Sequence, residues 1–266
     1  MARYRQFLAR LSGLFRRGRL TLRVCPIALM GLVVTAVFAQ TPLTFEVASV
    51  KVHPFPYQVV KSEVSGPRAT WEAYGLEGLI MEAYRVDSYQ ISRGPAWLAS
   101  DRFDINAKAP GDRTLTADRK REMLRALLED RFQLKVHRET REQPVYSLVV
   151  AKGGPKLKAS SEDARPGMTL ESKGQAVEIL FSKWDMARLA GQISGNEGRK
   201  VVDKTGLSGE YDITLSYADD RRAAGGQQDG PSLFTALQEQ LGLKLESQKG
   251  PVEVLVIDHA EKPSEN

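Results

Sequence analysis

The chain has 266 residues, a formal charge of +5 and a single cysteine. Seven arginines (Arg3, Arg5, Arg10, Arg16, Arg17, Arg19, Arg23) and no acidic residue fall in the first 39 positions, so the remaining residues carry a formal charge of −2. The basic character therefore belongs to the N-terminus, which removes the case for a nucleic-acid partner. Cys25 also lies there, which excludes a disulfide, a thiolate metal site or a cysteine nucleophile from everything downstream.

In chain order the first element is this N-terminal stretch. The basic run gives way to an apolar one over residues 24–38, which ends Val37-Phe38-Ala39 before Gln40. A positive segment, a short apolar segment and small residues at −3 and −1 predict a secretory signal peptide over residues 1–39, cleaved between Ala39 and Gln40. The apolar run is shorter than the roughly 20 residues that span a bilayer. The alternative is an uncleaved leader that anchors the chain by one N-terminal membrane helix. Either way the expectation is an exported protein, periplasmic or secreted, that meets the membrane only through its leader.

Downstream, a set of landmarks recurs. Tyr74-Gly-Leu-Glu-Gly-Leu-Ile80 resembles Trp184-Asp-Met-Ala-Arg-Leu-Ala190; Phe103-Asp104-Ile105 returns as Tyr211-Asp212-Ile213; Leu124-Arg-Ala126-Leu127 returns as Phe234-Thr-Ala236-Leu237. Leu134-Lys135-Val136 returns as Leu243-Lys244-Leu245, and Pro144-Val145 as Pro251-Val252. The offsets are 110, 108, 110, 109 and 107. An internal repeat is the natural reading. Residues 102–108 and 211–217 alternate apolar and polar, which predicts strands with one buried face. Residues 116–130 place Met123/Leu127 and Leu124/Leu128 four apart on a helix, with Thr116 as N-cap and Asp118 in the first turn. Ser232 caps the matching helix and Gly242 stops it. Phe132, Leu134 and Val136 point one way along a short strand, and residues 145–150 and 252–257 read as covered central strands, with a tight turn at Gly250-Pro251. The expected fold is α+β: two tandem pseudo-repeats, each strand–helix–strand–helix–strand–strand with two helices on a small mixed or antiparallel sheet. The first repeat covers residues 40–152 and the second 175–260, with a linker over 153–174 and a polar tail over 261–266. Residues 218–230 read as a surface loop.

Four stretches carry a family resemblance. They are Tyr89-Gln-Ile-Ser-Arg-Gly-Pro-Ala-Trp97 running on to Asp101-Arg-Phe-Asp-Ile-Asn-Ala-Lys-Ala-Pro110, Leu127-Leu-Glu-Asp-Arg-Phe-Gln-Leu-Lys-Val-His-Arg-Glu-Thr-Arg-Glu142, Val202-Asp-Lys-Thr-Gly-Leu-Ser-Gly-Glu-Tyr-Asp212, and Gly230-Pro-Ser-Leu-Phe-Thr-Ala-Leu-Gln-Glu-Gln-Leu-Gly-Leu-Lys-Leu-Glu246. Over residues 44–263 the chain resembles the soil-associated family of acidobacterial exported proteins, whose domain has no assigned function. It departs at Arg85 and Arg93, where the family usually has glycine. Some members are fused behind antirepressor-type membrane metallopeptidases, so the resemblance implies an extracytoplasmic sensing or binding domain. The helix–Gly-Leu–strand pattern is also similar to small modules of secretins and TonB-dependent transducers.

The motifs of zincins, serine hydrolases, β-lactamases, P-loops and dinucleotide folds are all missing. His53, His137 and His259 fall in separate elements, which predicts no metal site, and nothing implies a cofactor. Trp97, in Gly94-Pro-Ala-Trp-Leu98, is a candidate stacking platform for a sugar or peptide, or else a lid on the core. His137, crowded by Arg131, Lys135 and Arg138, is a candidate for an anion-binding face, its pKa depressed by that company; the plainer reading is a solvated strand face paired with Glu139 and Glu142. Asp104 and Asp212 hold equivalent places and are expected to serve the fold. The leading expectation is a non-catalytic envelope module that binds an unknown protein, peptide or cell-wall polymer. The alternatives are a sensor domain for cell-wall stress and a hydrolase whose active site is of an unrecognised kind.

Overall fold

The computed structural model describes residues 43–54, 60–173, 176–218 and 230–264. The leader, its Ala39/Gln40 junction and most of the 218–230 loop lie outside the described residues. The elements run β1 (Val47–Val52), β2 (Lys61–Ser65), β3 (Arg68–Tyr74), α1 (Leu76–Tyr84), a 3-10 turn (Ser88–Gln90), β4 (Ile91–Ser92), α2 (Trp97–Ser100), β5 (Phe103–Lys108), α3 (Ala117–Arg131) and β6 (Lys135–Val150). They continue with β7 (Lys158–Ala159), β8 (Gly167–Lys173), β9 (Ala176–Trp184), α4 (Met186–Glu197), β10 (Val201–Asp203), β11 (Tyr211–Ala218), α5 (Leu233–Leu241) and β12 (Leu243–His259). The fold is mixed α+β, with helices packed on three four-stranded sheets, ordered β1-β5-β3-β2, β10-β6-β12-β4 and β7-β11-β9-β8.

Local chemistry sets the element ends. The Thr116 hydroxyl accepts from Arg119 N–H and the Ser232 hydroxyl from Thr235 N–H, each meeting one donor that a helix start leaves unpaired. Gly242 closes α5 in the left-handed region, φ 65°. The alternation read over 103–107 and 211–217 holds: Phe103, Ile105 and Ala107, and Ile213, Leu215 and Tyr217, are buried. Trp184 sits just before the Asp185 N-cap of α4 and packs in the same cluster as Leu189, which fits a hydrophobic staple.

Asp104 and Asp212 have matching jobs. Each lies opposite a bulge in its sheet, at Trp71/Tyr74 and at Tyr211/Ile213. The bulge residues Ala73 and Lys183 are both non-glycine with φ 56°. Asp104 Oδ1 accepts from Ala73 N–H (2.9 Å) and Asp212 Oδ1 from Lys183 N–H (3.2 Å), so each carboxylate satisfies an amide that the bulge removes from the ladder. The hydrogen bond from Ser160 Oγ, then that amide, holds the Asp212 carboxyl below its ordinary range.

Three expectations need correction. The strand after α3 does not stop for a turn: β6 and β12 run 16 and 17 residues and pair antiparallel from Val150/Leu243 to Lys135/His259. Gly250 and Pro251 lie mid-ribbon, opposite Gln143 and Glu142. Proline is tolerated there because the flanking strands reach only part of the ribbon. β4 meets Leu255–Val256 and β10 meets Tyr146–Leu148, so the outer edges beside Pro144 and Pro251 have no ladder bond to lose. Second, Phe132 is the C-cap of α3 rather than a strand residue; its burial gave the apparent alternation. Third, the span expected as a linker supplies β7 and β8 to the third sheet. Gly153 lies in a turn before β7, Ser160 follows β7 and Gly167 opens β8.

Three apolar clusters result. One gathers Trp71, Phe103, Ile105, Leu124, Leu128 and Phe132 beneath α1 and α3. A second gathers Ile179, Phe181, Leu189, Ile213 and Leu237 beneath α4 and α5. The third, Val145, Val252, Val254 and Val256, is covered in part by Tyr89. Burial, followed by the charge of Asp87, pushes the Tyr89 hydroxyl up to about 12, against the opposing pull of its hydrogen bond with Ser194 of α4.

Candidate functional site

The β6–β12 ribbon carries His137. Strand alternation sends Arg138 to the opposite side of the ribbon from His137, and Arg131 ends a helix rather than joining the strand. His137 therefore meets a carboxylate, with Nδ1 2.8 Å from Asp258 Oδ2. The expected cluster of Arg131, Lys135 and Arg138 around it does not form. Arg131 Nε pairs with Asp130 (3.1 Å), and Arg138 pairs with Glu253 and donates to the Tyr84 carbonyl. Lys135 lines a separate depression with Tyr84, Glu129, Gln133, Leu134 and Val136. Neither Glu139 nor Glu142 is the partner of His137; Glu139 binds Arg141 instead (2.8 Å).

A polar strip lies along the same side of the ribbon as His137. Arg141 bridges Glu139 and the Ser92 hydroxyl (2.7 Å). That hydrogen bond from Arg141 holds Glu139 below the usual carboxylate range despite its partial desolvation, and the charges of Arg141, His137 and Arg93 add to it. Arg93 follows β4 with φ 65°, and Arg85 ends α1 with φ 56°. Both arginines thus stand in the region where glycine is favoured.

A histidine held by a carboxylate can serve as a general base if a nucleophile stands beside its free nitrogen. Ser92 is the hydroxyl in its row, yet Ser92 pairs with Val256 and Val256 with His137. Two strand spacings, about 10 Å, separate them, and Arg141 already occupies the Ser92 oxygen. Among the described residues, no group of three or more His, Cys, Asp or Glu side chains could hold a metal ion.

Trp97 starts α2, half-buried. Its ring packs edge-on against Phe103, with centroids 6.3 Å apart, and Lys262 Nζ lies 5.9 Å from the ring centroid. It packs, partly exposed, against the first core.

Two features were not read from the sequence. One is the depression at Tyr84. The other is the edge strand β8, unpaired on its outer side among the described residues, where Met168 and Leu170 lie opposite the buried Phe181 and Ile179 yet remain 48% and 49% exposed. The corresponding edge strand β2 is defended: Lys61 and Glu63 form an ion pair, and Lys120 of α3 donates to the Ser62 hydroxyl (2.7 Å), pairs with Glu82 (2.6 Å) and lies over the Trp71 ring. α5 begins at Leu233, so among the described residues β8 has no helical turn of that kind above it. The alternation Met168-Thr-Leu170 was visible in the sequence, but a setting rich in Gly, Pro and Ser hid it.

Among the described residues, no helix is long and apolar enough to cross a membrane. Residues 77–260 match the family model described as Protein of unknown function (DUF3738), and the chain belongs to that family. No curated protein matches, and no solved structure matches.

Proposed function

We propose that this DUF3738 member is an exported, non-catalytic binding module of the cell envelope, built from two copies of one α+β unit, that captures an extended polypeptide at the free edge of β8. The observation that carries the proposal is the contrast between the two sheet edges. Unprotected edge strands with exposed apolar side chains tend to pair with another chain, and folded proteins normally blunt them with charge or cover. β2 has both defences and leaves one apolar side chain, Val64, 37% exposed, whereas β8 leaves two, Met168 and Leu170, 48% and 49% exposed. Strand addition supplies backbone hydrogen bonds, while alternate side chains supply selectivity. The parallel strand orders of the first and third sheets, and the matching roles of Asp104 and Asp212, support the duplication. The basic, then apolar, N-terminus supports export. The distance between His137 and any row-mate hydroxyl speaks against hydrolysis.

The test is a panel of fluorescent eight-residue peptides with alternating apolar side chains, each paired with a copy interrupted by proline. The expected result is that the full-length chain binds the uninterrupted peptides, and that Met168→Lys with Leu170→Lys weakens binding about tenfold or more. Because both side chains are half exposed, circular dichroism should be unchanged. Equal binding of the proline-interrupted copies, or full binding by the double variant, would sink the proposal.

A further inference from the structure

The turn that joins each long helix to its long strand has one backbone shape and two different surroundings. After α5, residues 151–156 cross directly over Gly242: Ala151 N–H donates to the Gly242 carbonyl (2.8 Å), Lys156 N–H to the Leu241 carbonyl (2.8 Å) and Lys156 Nζ to the Glu239 carbonyl (2.8 Å). A Cβ at 242 would run into the carbonyl oxygen of Gly154, so only glycine fits. After α3, Gln133 takes the same left-handed conformation, φ 49°, and has room for its side chain, which turns back to the Asp130 carbonyl (2.7 Å). Where the second turn is covered, the first opens into a trough lined by Tyr84, Glu129, Gln133, Leu134, Lys135 and Val136.

The trough has a defined chemistry. Tyr84, the last residue of α1, packs against the first core, and Arg125 lies over one face of its ring, 5.2 Å from the centroid, while donating from Nε to the Ala83 carbonyl (2.7 Å); the rest of the residue lines the trough. Burial, then the Glu129 charge, raises the Tyr84 hydroxyl above its ordinary range against the opposing pull of Arg125 and Arg138, so it stays protonated and can both donate and accept. Glu129 accepts only, Lys135 donates only, and Gln133 does both. Their two charges offset each other, which disfavours a ligand of strong single sign. The apolar part is an aromatic ring with Leu134 and Val136 beside it, and no deep slot anchors an aliphatic side chain. A sugar ring fits that description: hydroxyls at close spacing that donate and accept, with an apolar C–H face that packs on an aromatic ring.

We propose that the trough between the C-terminal ends of α1 and α3 is a subsite for one uncharged sugar ring of an extended glycan, with Tyr84 as the platform and Glu129, Gln133 and Lys135 as the hydroxyl-reading groups. The site is separate from β8 and stands or falls independently of strand capture.

The test titrates the 15N-labelled full-length chain with chitohexaose and with cellohexaose, using polyglutamate and oligolysine as charged comparisons. At least one hexasaccharide should shift the amides of residues 84, 129, 133 and 135, with a Kd of about 0.1–1 mM. Tyr84→Ala should weaken binding about tenfold, while Tyr84→Phe, which keeps the ring packing and guards against misfolding, should stay within about threefold. Glu129→Gln and Lys135→Ala should each cost about threefold. The Met168→Lys, Leu170→Lys chain should bind sugar normally, so the two sites are scored apart. No shift with either hexasaccharide at about 10 mM, a preference for a charged polymer, or unchanged binding after loss of the Tyr84 ring would overturn the proposal.

Discussion

Replacing Arg85 by glycine should make the protein more stable. Arg85 ends α1 with φ 56° and ψ 52°, and its side chain is exposed. A left-handed conformation costs an L-residue about 1–2 kcal/mol, whereas glycine adopts it freely and loses about 0.5–1 kcal/mol through the greater freedom of its unfolded chain. The balance favours Arg85→Gly by about 0.5–1 kcal/mol, or roughly 1–4 °C in Tm for a domain of this size. Urea unfolding at pH 7 in low and high salt separates this backbone effect from any loss of a surface charge, which salt would screen. Gly198→Ala is the reverse control. Gly198 caps α4 with φ 61°, and a Cβ there would meet nothing within 4 Å, so the variant should lose about 1 kcal/mol through the backbone alone. An unchanged or lower midpoint for Arg85→Gly, beside a destabilised Gly198→Ala, would show that Arg85 makes a compensating contact and refute the strain reasoning.

Asp104→Ala should destabilise by about 1–3 kcal/mol, because it leaves the Ala73 amide without its acceptor; thermal unfolding checks it, and Asp104→Asn should recover part of the loss. For Asp212 the folded carboxyl titrates below its unfolded value. Its contribution is therefore complete above the ordinary aspartate range and is lost as pH falls through the lowered folded value. Asp212→Ala should flatten that part of the acid limb in urea midpoints measured from neutral pH down to acid. The Tyr89 hydroxyl is raised, so its contribution is full below about pH 10 and fades as pH rises towards about 12. Absorbance titration of the tyrosines should show that Tyr89→Phe removes the latest step, the one near pH 12, and leaves the raised Tyr74 and Tyr84 in place; a Tyr89→Phe chain that keeps that step would disprove the assignment.

What was legible in the sequence is what depends on short-range pattern. Thr116, Ser232 and Gly242 announce helix ends because capping needs only a side chain three residues from an amide, or a residue free to take positive φ. Asp104 and Asp212 could be matched, but their purpose, to hold the amides of Ala73 and Lys183, was hidden because the partner lies about thirty positions away on another strand. Long-range pairing was likewise illegible in the ribbon. Gly250-Pro251 is the dipeptide of a tight turn, and only the limited reach of β4 and β10, which leaves that stretch of the ribbon unflanked, lets it run straight through. The partner of His137 is hidden for a related reason. Its sequence neighbours are cations, but a strand turns successive neighbours to opposite sides, and the residue it meets, Asp258, comes from the antiparallel partner strand.

The same ribbon explains why both candidate sites lie off His137. Over its middle, Val145, Val252, Val254 and Val256 are buried, and the side chains above them are tied in pairs: Arg141 to Glu139 and Ser92, His137 to Asp258. Groups so tied have little capacity left for a ligand, since binding must first break contacts already made. Among the described residues, capacity remains where an element lacks what covers its counterpart. β8 has, among the described residues, no counterpart of the helical turn that Lys120 provides over β2, and Gln133 has none of the crossing chain that Gly154 provides over Gly242. β8 thus exposes a sheet edge and Gln133 a trough, and each exposure is measured against a filled counterpart in the same molecule. Filling each in turn tests the logic directly. Gln133→Trp should plug the trough and abolish sugar binding with peptide capture intact, whereas the paired lysines on β8 should do the opposite. Loss of both activities in either variant would mean that a single surface, or a general loosening of the ribbon, accounts for the binding.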